Sequence, residues 1–73
     1  MDARTSSMIK KYLACKKDLH LKTRYFQIFE HRYGLSDGKN HTQKETGVVF
    51  GISGNRIGQI EARVKYELSK VEN

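Results

Sequence analysis

The stretch that begins at Thr42 constrains the fold most, because it encodes two helices and the turn between them. Thr42 and Glu45 have the spacing of a capping box, in which each side chain accepts a hydrogen bond from the other residue's backbone amide. Gly51 can adopt the positive φ of a tight turn, and Ser53 can cap a second helix. The sequence therefore predicts a helix over 43–50, a turn, and a second helix after Ser53.

The second helix is long and amphipathic. Apolar residues recur at spacings of 3, 4, 4 and 3 along it, at Ile57, Ile60, Val64, Leu68 and Val71. Gly47 is the small residue at which the two helices can cross, and Phe50 and Ile52 complete the core between them. We therefore expect an all-α fold, a small helical bundle of four to five helices with a helix-turn-helix.

Two further helices are predicted upstream. Thr5-Ser6-Ser7 can cap a basic helix over 7–18, with Ile9 and Tyr12 on its apolar face. A core helix over 24–33 carries Phe26, Phe29 and Tyr33 at i, i+3 and i+7. Gly34 and Leu35 fit its C-terminal end, and residues 36–41 have turn chemistry.

Charge is concentrated at the start of the chain. The 73 residues carry a net charge of +6, and residues 1–24 hold seven basic and two acidic side chains. The segment from Thr42 onward has five basic and four acidic side chains, a net charge of +1. Because counterion release depends on cations at the phosphates, tight binding to DNA by this segment alone is not expected. Lys10, Lys11, Lys16 and Lys17 are interpreted as a solvated basic face of the first helix, with contact to an acidic partner or upstream DNA as the alternative.

The sequence contains no pattern typical of an enzyme, a cofactor site or a metal site. His20, His31 and His41 are spread over different segments, and the single Cys15 has no ligand at short spacing. No nucleophile motif, acid–base pair or phosphate loop is present. No apolar run approaches the roughly 18 residues of a membrane span, and no signal peptide is recognisable. We expect a non-enzymatic, cytoplasmic protein that associates with the nucleoid.

Longer sequence motifs are more specific to one protein family than helix caps and apolar spacing are. The chain carries RYGL from Arg32, DG from Asp37, T-x-x-E-x-G-x-x-F-G from Thr42, and R-I-x-Q-I-E-A-R from Arg56. In this combination it resembles the fourth, C-terminal domain of bacterial primary sigma factors over roughly residues 20–70. The resemblance divides the chain into a basic helical leader, 1–19, and a sigma-like helix-turn-helix domain, 20–73.

The resemblance implies a module that reads the minus-thirty-five element of promoter DNA while another surface grips the flap tip of the RNA polymerase β subunit. By position it places four residues near DNA phosphates: Arg24, Thr42, Gln43 and Lys44. It places six more on the base-facing and adjoining surface: Gly54, Asn55, Arg56, Gly58, Gln59 and Arg63. It assigns polymerase binding to Tyr33, Leu35 and Leu68.

The start of the second helix also supports DNA reading on physical grounds. Asn55 and Gln59 are i, i+4 neighbours where recognition helices contact bases, and their amides can pair bidentately with adenine. Gly54 and Gly58 depart from the family, which usually has DNA-contacting arginines there. Three explanations stay open: an altered promoter sequence, weaker DNA reading with polymerase binding retained, or close approach of another protein.

Two alternatives to a sigma-like module remain. The first is a protein that occupies the sigma seat on polymerase and inhibits or redirects transcription with little DNA contact, as the two glycines suggest. The second is an autonomous repressor that dimerises on an operator. Because a chain of 73 residues holds no domain to melt promoter DNA, we expect an excised domain or a free-standing small protein, for example of phage origin.

Overall fold

A computed structural model describes residues 3–71, and these residues form four α-helices and one short 3₁₀ helix without a strand. The α-helices are α1 (Ala3–Cys15), α2 (Thr23–Arg32), α3 (Gln43–Phe50) and α4 (Gly54–Ser69), and the 3₁₀ helix is Lys16–Asp18. The predicted all-α bundle with a helix-turn-helix is confirmed. Among the described residues, none of the helices combines the length and the apolar character that crossing a bilayer requires.

The ends of α3 and α4 are fixed by local hydrogen bonds, as the sequence predicts. Thr42 Oγ1 accepts from the Glu45 amide at 3.0 Å, and Glu45 Oε1 accepts from the Thr42 amide at 2.9 Å. Ser53 Oγ accepts from the Arg56 amide at 3.1 Å. Gly51 has φ 72°, a left-handed conformation that glycine adopts without a steric penalty. Helix α3 therefore stops at Phe50, and α4 starts three residues after Gly51.

The first helix differs from its prediction. Helix α1 begins at Ala3 rather than at residue 7, so Thr5-Ser6-Ser7 lie inside its first turns instead of capping it. Serine and threonine cost no more than about 0.7 kcal/mol each in a helix, which the burial of Ile9 and Tyr12 offsets. The predicted end at residue 18 includes the 3₁₀ turn that follows Cys15.

The core has two parts. The first, which we call the leader core, joins α1 to α2 and α4 and consists of Tyr12, Cys15, Leu19, Phe29, Val64 and Leu68. Its centre is the contact between the Tyr12 and Phe29 rings, whose centroids are 4.6 Å apart. The second, the turn core, consists of Ile28, Ile57 and Ile60, with Phe50 and Ile52 packed against it. The wedge that the sequence predicts between α3 and α4 is thus present.

Helices α3 and α4 cross at Gly47 in very close contact. A Cβ atom at Gly47 would lie 2.5 Å from the carbonyl oxygen of Ile52 and 3.2 Å from the amide nitrogen of Gly54. The Ile52 amide also donates to the Gly47 carbonyl at 2.9 Å. Because both elements are held by backbone contacts, the angle between α3 and the start of α4 is fixed. The predicted role of Gly47 is confirmed.

Candidate nucleic-acid interface

The first turns of α4 present one exposed polar face. Asn55, Arg56, Gln59 and Arg63 are all exposed, whereas Ile57 and Ile60 on the opposite side are buried. This division follows from the helical period, which repeats every 3.6 residues and separates the apolar from the polar positions. The predicted outward orientation of Asn55 and Gln59 is confirmed, and the N-terminal end of α4 lies open to a large partner.

Arg56 organises this face through two side-chain hydrogen bonds. It donates to Gln59 Oε1 at 3.2 Å and to the Tyr25 hydroxyl of α2 at 3.3 Å. These bonds hold the guanidinium beside the Gln59 amide and leave the amide nitrogen of Gln59 to donate elsewhere. Arg63, one turn further along, lies 3.2 Å from Glu67 Oε1 in an i, i+4 ion pair. Asn55 and Gln59 are therefore the amides that this face offers, with Arg56 holding the second in place.

A groove of about 350 Å³ runs beside this face. Its walls are Arg56, Gln59 and Arg63 of α4 on one side, and the segment that connects α1 to α2 together with Tyr25 on the other. That connection contributes His20, Leu21 and Lys22. Lys22 and His20 are not among the binding residues predicted from the sequence, because the packing of α2 on α4 brings their segment next to this face. The groove gathers three permanent cations, those of Lys22, Arg56 and Arg63.

Gln43 does not extend away from the domain. Its side chain lies across Gly58, where a Cβ atom would be 3.1 Å from Gln43 Nε2. The same Nε2 donates to Glu61 Oε2 at 3.2 Å, and Glu61 Oε1 lies 2.8 Å from Arg32 Nε. Glu61 is only 5% exposed, so its charge is compensated inside the domain. Because Gly58 has no side chain, Gln43 of α3 can reach Glu61 of α4, which also pairs with Arg32 of α2. These polar contacts link the three helices.

Gly54 has a different environment. A Cβ atom there would lie 3.4 Å from the Cα and the amide nitrogen of Lys44, which are ordinary contact distances. The start of α3 therefore lies against the start of α4. An alanine at position 54 is sterically acceptable, in contrast to one at Gly47.

The residues that the resemblance places near DNA phosphates make different contacts within the domain. Thr42 uses its hydroxyl in the capping box, while Lys44 is exposed at the start of α3. Arg24 donates to the carbonyl oxygen of Phe50 at 2.7 Å, and its guanidinium lies 5.9 Å from the Phe50 ring centre. A cation at the C-terminal end of a helix satisfies a carbonyl and interacts favourably with the helix dipole. In the free protein Arg24 therefore stabilises the end of α3.

The residues assigned to polymerase binding lie around the leader core. Leu68 belongs to it and is 3% exposed, while Tyr33 and Leu35 are half-buried at its edge. Tyr33 packs on Phe29 with ring centroids 4.9 Å apart, and Lys65 Nζ lies 5.5 Å from the Tyr33 ring centre. A partner can reach Tyr33 and Leu35 directly. Leu68 itself is almost fully covered.

Two groups in these regions have pKa values displaced by identifiable contacts. The Thr42 amide, which donates to the Glu45 carboxylate, holds the pKa of that group below its ordinary value. Burial raises the pKa of the Tyr12 hydroxyl, and its 2.6 Å hydrogen bond to Glu30 Oε2 adds to the effect. Glu45 is thus ionised at neutral pH at the positive end of α3, and Tyr12 remains a hydrogen-bond donor.

The histidines are not all apart, contrary to the expectation from their separation in sequence. The rings of His31 and His41 stack with centroids 4.1 Å apart and an angle of 8° between their planes. The cause is the path of the loop after Gly34, which turns back so that the His41 amide donates to the carbonyl of Arg32 at 3.1 Å. This return path depends on positive φ at Gly34 and cannot be inferred from residue spacing.

Comparison with known proteins agrees with this geometry. Residues 19–69 match the family described as Sigma-70, region 4. RNA polymerase sigma factor SigA4 of Synechococcus elongatus is 43% identical over 49 residues, covering 67% of this chain and 16% of that protein. RNA polymerase sigma factor SigA of a Bacillus species is 37% identical over 67 residues, covering 92% of this chain and 18% of that protein.

The chain spans less than a fifth of the length of these two relatives. The family match includes the capping box, the turn at Gly51 and the exposed face of α4. The resemblance noted from the sequence motifs is thereby confirmed, and the chain belongs to the Sigma-70, region 4 family.

Proposed function

We propose that this chain is a sigma-like transcription module that binds bacterial RNA polymerase and the minus-thirty-five region of promoter DNA. The observation that carries the proposal is the exposed face of α4 with Asn55 and Gln59, held at a fixed angle by the crossing at Gly47. A recognition helix contacts base edges with its N-terminal residues, so this face has the position that major-groove reading requires. The first helix of the helix-turn-helix, α3, would lie across the phosphate backbone.

Contacts with polymerase would provide much of the binding energy that keeps the module at promoter DNA. The segment from Thr42 onward has a net charge of only +1, and Arg63 is paired with Glu67. Binding to DNA by charge alone would therefore be weak and strongly salt-dependent. The half-buried Tyr33 and Leu35 form an apolar surface at the edge of the leader core, and we assign the flap tip of the β subunit to this surface.

A footprint of polymerase on promoter DNA, with and without the protein, tests the proposal together with a gel shift of the protein alone. Protection upstream that needs both polymerase and the protein is the expected result. Capture of polymerase with reduced promoter protection would instead support an inhibitor that occupies the sigma seat. A shift of DNA by the protein alone would support an autonomous repressor.

The inhibitor is the second candidate because of a specific contact. Gln43 lies across Gly58 and bonds to Glu61, so position 58 presents no side chain of its own on this face of the recognition helix. Such a surface suits close approach of a protein better than contact with base edges. The proposal of DNA reading therefore depends on Asn55, Arg56 and Gln59.

Replacing Asn55 or Gln59 with alanine should relax base preference in the polymerase–promoter complex. Each amide pair with a base contributes about 1–3 kcal/mol of discrimination, so selection of binding sites from a randomised upstream element should show a weaker consensus at one position. Gln27→Ala, which removes the same type of exposed amide from α2, is the matched control and should leave the consensus unchanged. An unaltered consensus in the Asn55 and Gln59 variants would remove these residues from the reading surface.

Leu35→Asp should abolish capture of polymerase. A charge in an apolar contact that is a binding hot spot weakens affinity by about 30-fold or more, which pull-down or surface binding with purified core polymerase can measure. Because Leu35 also packs on the leader core, its variant must keep the helical circular dichroism of the original chain. Leu13→Asp, at a position that is 60% exposed on α1, is the control. Equal capture by both variants would contradict the flap assignment.

A further inference from the structure

Three potential metal ligands meet between α2 and α3. His31 lies in the last turn of α2, Asp37 in the loop, and His41 directly before the capping residue Thr42. One donor atom from each of the three lies within 4.8 Å of the donors of the other two. His41 Nε2 and Asp37 Oδ2 are already 2.8 Å apart. Since one donor comes from α2 and two come from the loop that follows it, an ion bound here would tie the loop to α2.

The donor atoms of His31 and Asp37 have surroundings that favour coordination of an ion. Among residues 3–71, Nε2 of His31 is buried and has no hydrogen-bond partner. The Lys39 amide donates to Asp37 Oδ1 at 3.0 Å, and the other oxygen, Oδ2, lies 2.8 Å from His41 Nε2. The carboxylate is therefore held with Oδ2 turned toward the histidines.

We propose that His31, Asp37 and His41 form a binding site for a divalent transition-metal ion of the zinc class. The two imidazoles suit Zn²⁺ or Co²⁺ better than Mg²⁺ or Ca²⁺, which prefer oxygen donors throughout, and zinc also accepts one carboxylate. Three protein ligands leave the fourth tetrahedral position to water. Binding replaces the hydrogen bond between His41 and Asp37 with two metal–ligand bonds, and any proton on the coordinating nitrogen is released to solvent.

Coordination requires a small local rearrangement. Zinc–ligand bonds of about 2.0–2.1 Å place tetrahedral donors about 3.3 Å apart, so the widest pair must close by about 1.5 Å. The parallel rings of His31 and His41 must also tilt, because the nitrogen lone pairs of stacked rings cannot point at one ion. Rotation of the His41 and Asp37 side chains, both beyond the end of α2, provides this movement. Loss of the ring stack is thus a specific signature of the bound ion.

The experiment titrates Zn²⁺ into the full chain after treatment with a chelator, and follows heat release and thermal unfolding. We expect one ion per chain, saturation below about 100 µM, and a rise in Tm of about 15 °C at a free concentration of 100 times the Kd. His41→Gln and Asp37→Asn should weaken binding at least tenfold, as loss of a ligand requires. His20→Gln, which changes the one histidine outside the cluster, should bind as the original chain does.

Two spectroscopic readouts keep the proposal falsifiable if a variant fails to fold. Co²⁺ in the original chain should give the visible absorption of a tetrahedral site without a sulfur charge-transfer band, which excludes Cys15 as a ligand. The NMR signals of the His31 and His41 rings should shift while those of His20 stay in place. Absence of saturation at about 100 µM Zn²⁺, equal weakening by His20→Gln, or a sulfur band would each overturn the proposal.

Discussion

Gly47→Ala is expected to lower the free energy of unfolding by about 2 kcal/mol. Forcing a methyl group into a closed contact costs about 1–3 kcal/mol. The upper end applies here, about 3 kcal/mol, because the new Cβ would lie 2.5 Å from the backbone oxygen of Ile52. Alanine gains about 1 kcal/mol of helix propensity over glycine, but the backbone on the other side of the contact cannot move without separating α3 from α4. For a domain of this size the change corresponds to a Tm about 10 °C lower, measurable by circular dichroism.

Gly54→Ala is the matched control because it makes the same substitution in the same helix-turn-helix. Its Cβ would lie 3.4 Å from Lys44, an ordinary contact, so the gain in propensity remains. We expect the free energy of unfolding to stay the same or to rise by up to about 1 kcal/mol. If the two variants shift Tm in the same direction and by the same amount, the close approach at Gly47 does not set the helix crossing.

Tyr12→Ala is expected to remove most of the stability of the chain. Tyr12 is fully buried in the leader core, against Phe29. Truncation of a buried aromatic to alanine costs about 3–5 kcal/mol, and a chain of this length has a total stability of only about 4–11 kcal/mol. The variant should unfold at a much lower urea concentration, as judged by helical circular dichroism.

Two control substitutions separate the loss of packing from the other effects of Tyr12→Ala. Leu13→Ala alters the adjacent residue, which is 60% exposed, and should change the free energy of unfolding by no more than about 0.5 kcal/mol. Tyr12→Phe keeps the ring and loses the hydrogen bond to Glu30, at a cost of about 1 kcal/mol. Unchanged stability of Tyr12→Ala would mean that the leader folds apart from residues 20–73, as the division drawn from the sequence would allow.

The helix-turn-helix could be read from the sequence because its boundaries are encoded locally. The capping box marks the start of α3, Gly51 marks its end, and Ser53 marks the start of α4, so each boundary depends on residues within a few positions. The predicted start of α1 at residue 7 was wrong, because Thr5-Ser6-Ser7 has the chemistry of an N-cap but lies inside a helix that begins at Ala3. There, burial of Ile9 and Tyr12 outweighs the small local preference.

The exposed face of the candidate site was also predictable, whereas its cross-links were not. Helical periodicity alone places Asn55 and Gln59 outside. The bridge from Gln43 to Glu61 and the bond from Arg56 to Tyr25 join residues 18 and 31 positions apart, so they depend on how the helices cross. The absence of a side chain at Gly58 is visible in the sequence, but its use as a seat for Gln43 requires the three-dimensional arrangement.

The path of the loop from Gly34 to His41 could not be predicted from residue spacing either. The backbone bond from His41 to Arg32 brings two histidines into contact that are ten positions apart in the chain. Neither the Asp-Gly turn signal nor the individual histidines indicate this contact. The proposed metal site can therefore be recognised only in the three-dimensional structure.

Site-specific photocrosslinking in the polymerase–promoter complex tests the central claim most directly. A photoreactive side chain at position 55 would report what the start of α4 contacts, and the same side chain at Tyr66, which is 53% exposed, would serve as the control. The two positions are about 16 Å apart along the helix axis. We predict crosslinks from position 55 to bases of the upstream promoter element, dependent on polymerase, and none to those bases from position 66. Crosslinks from position 55 to protein alone, in a complex that retains this chain, would contradict the assignment of α4 to DNA reading.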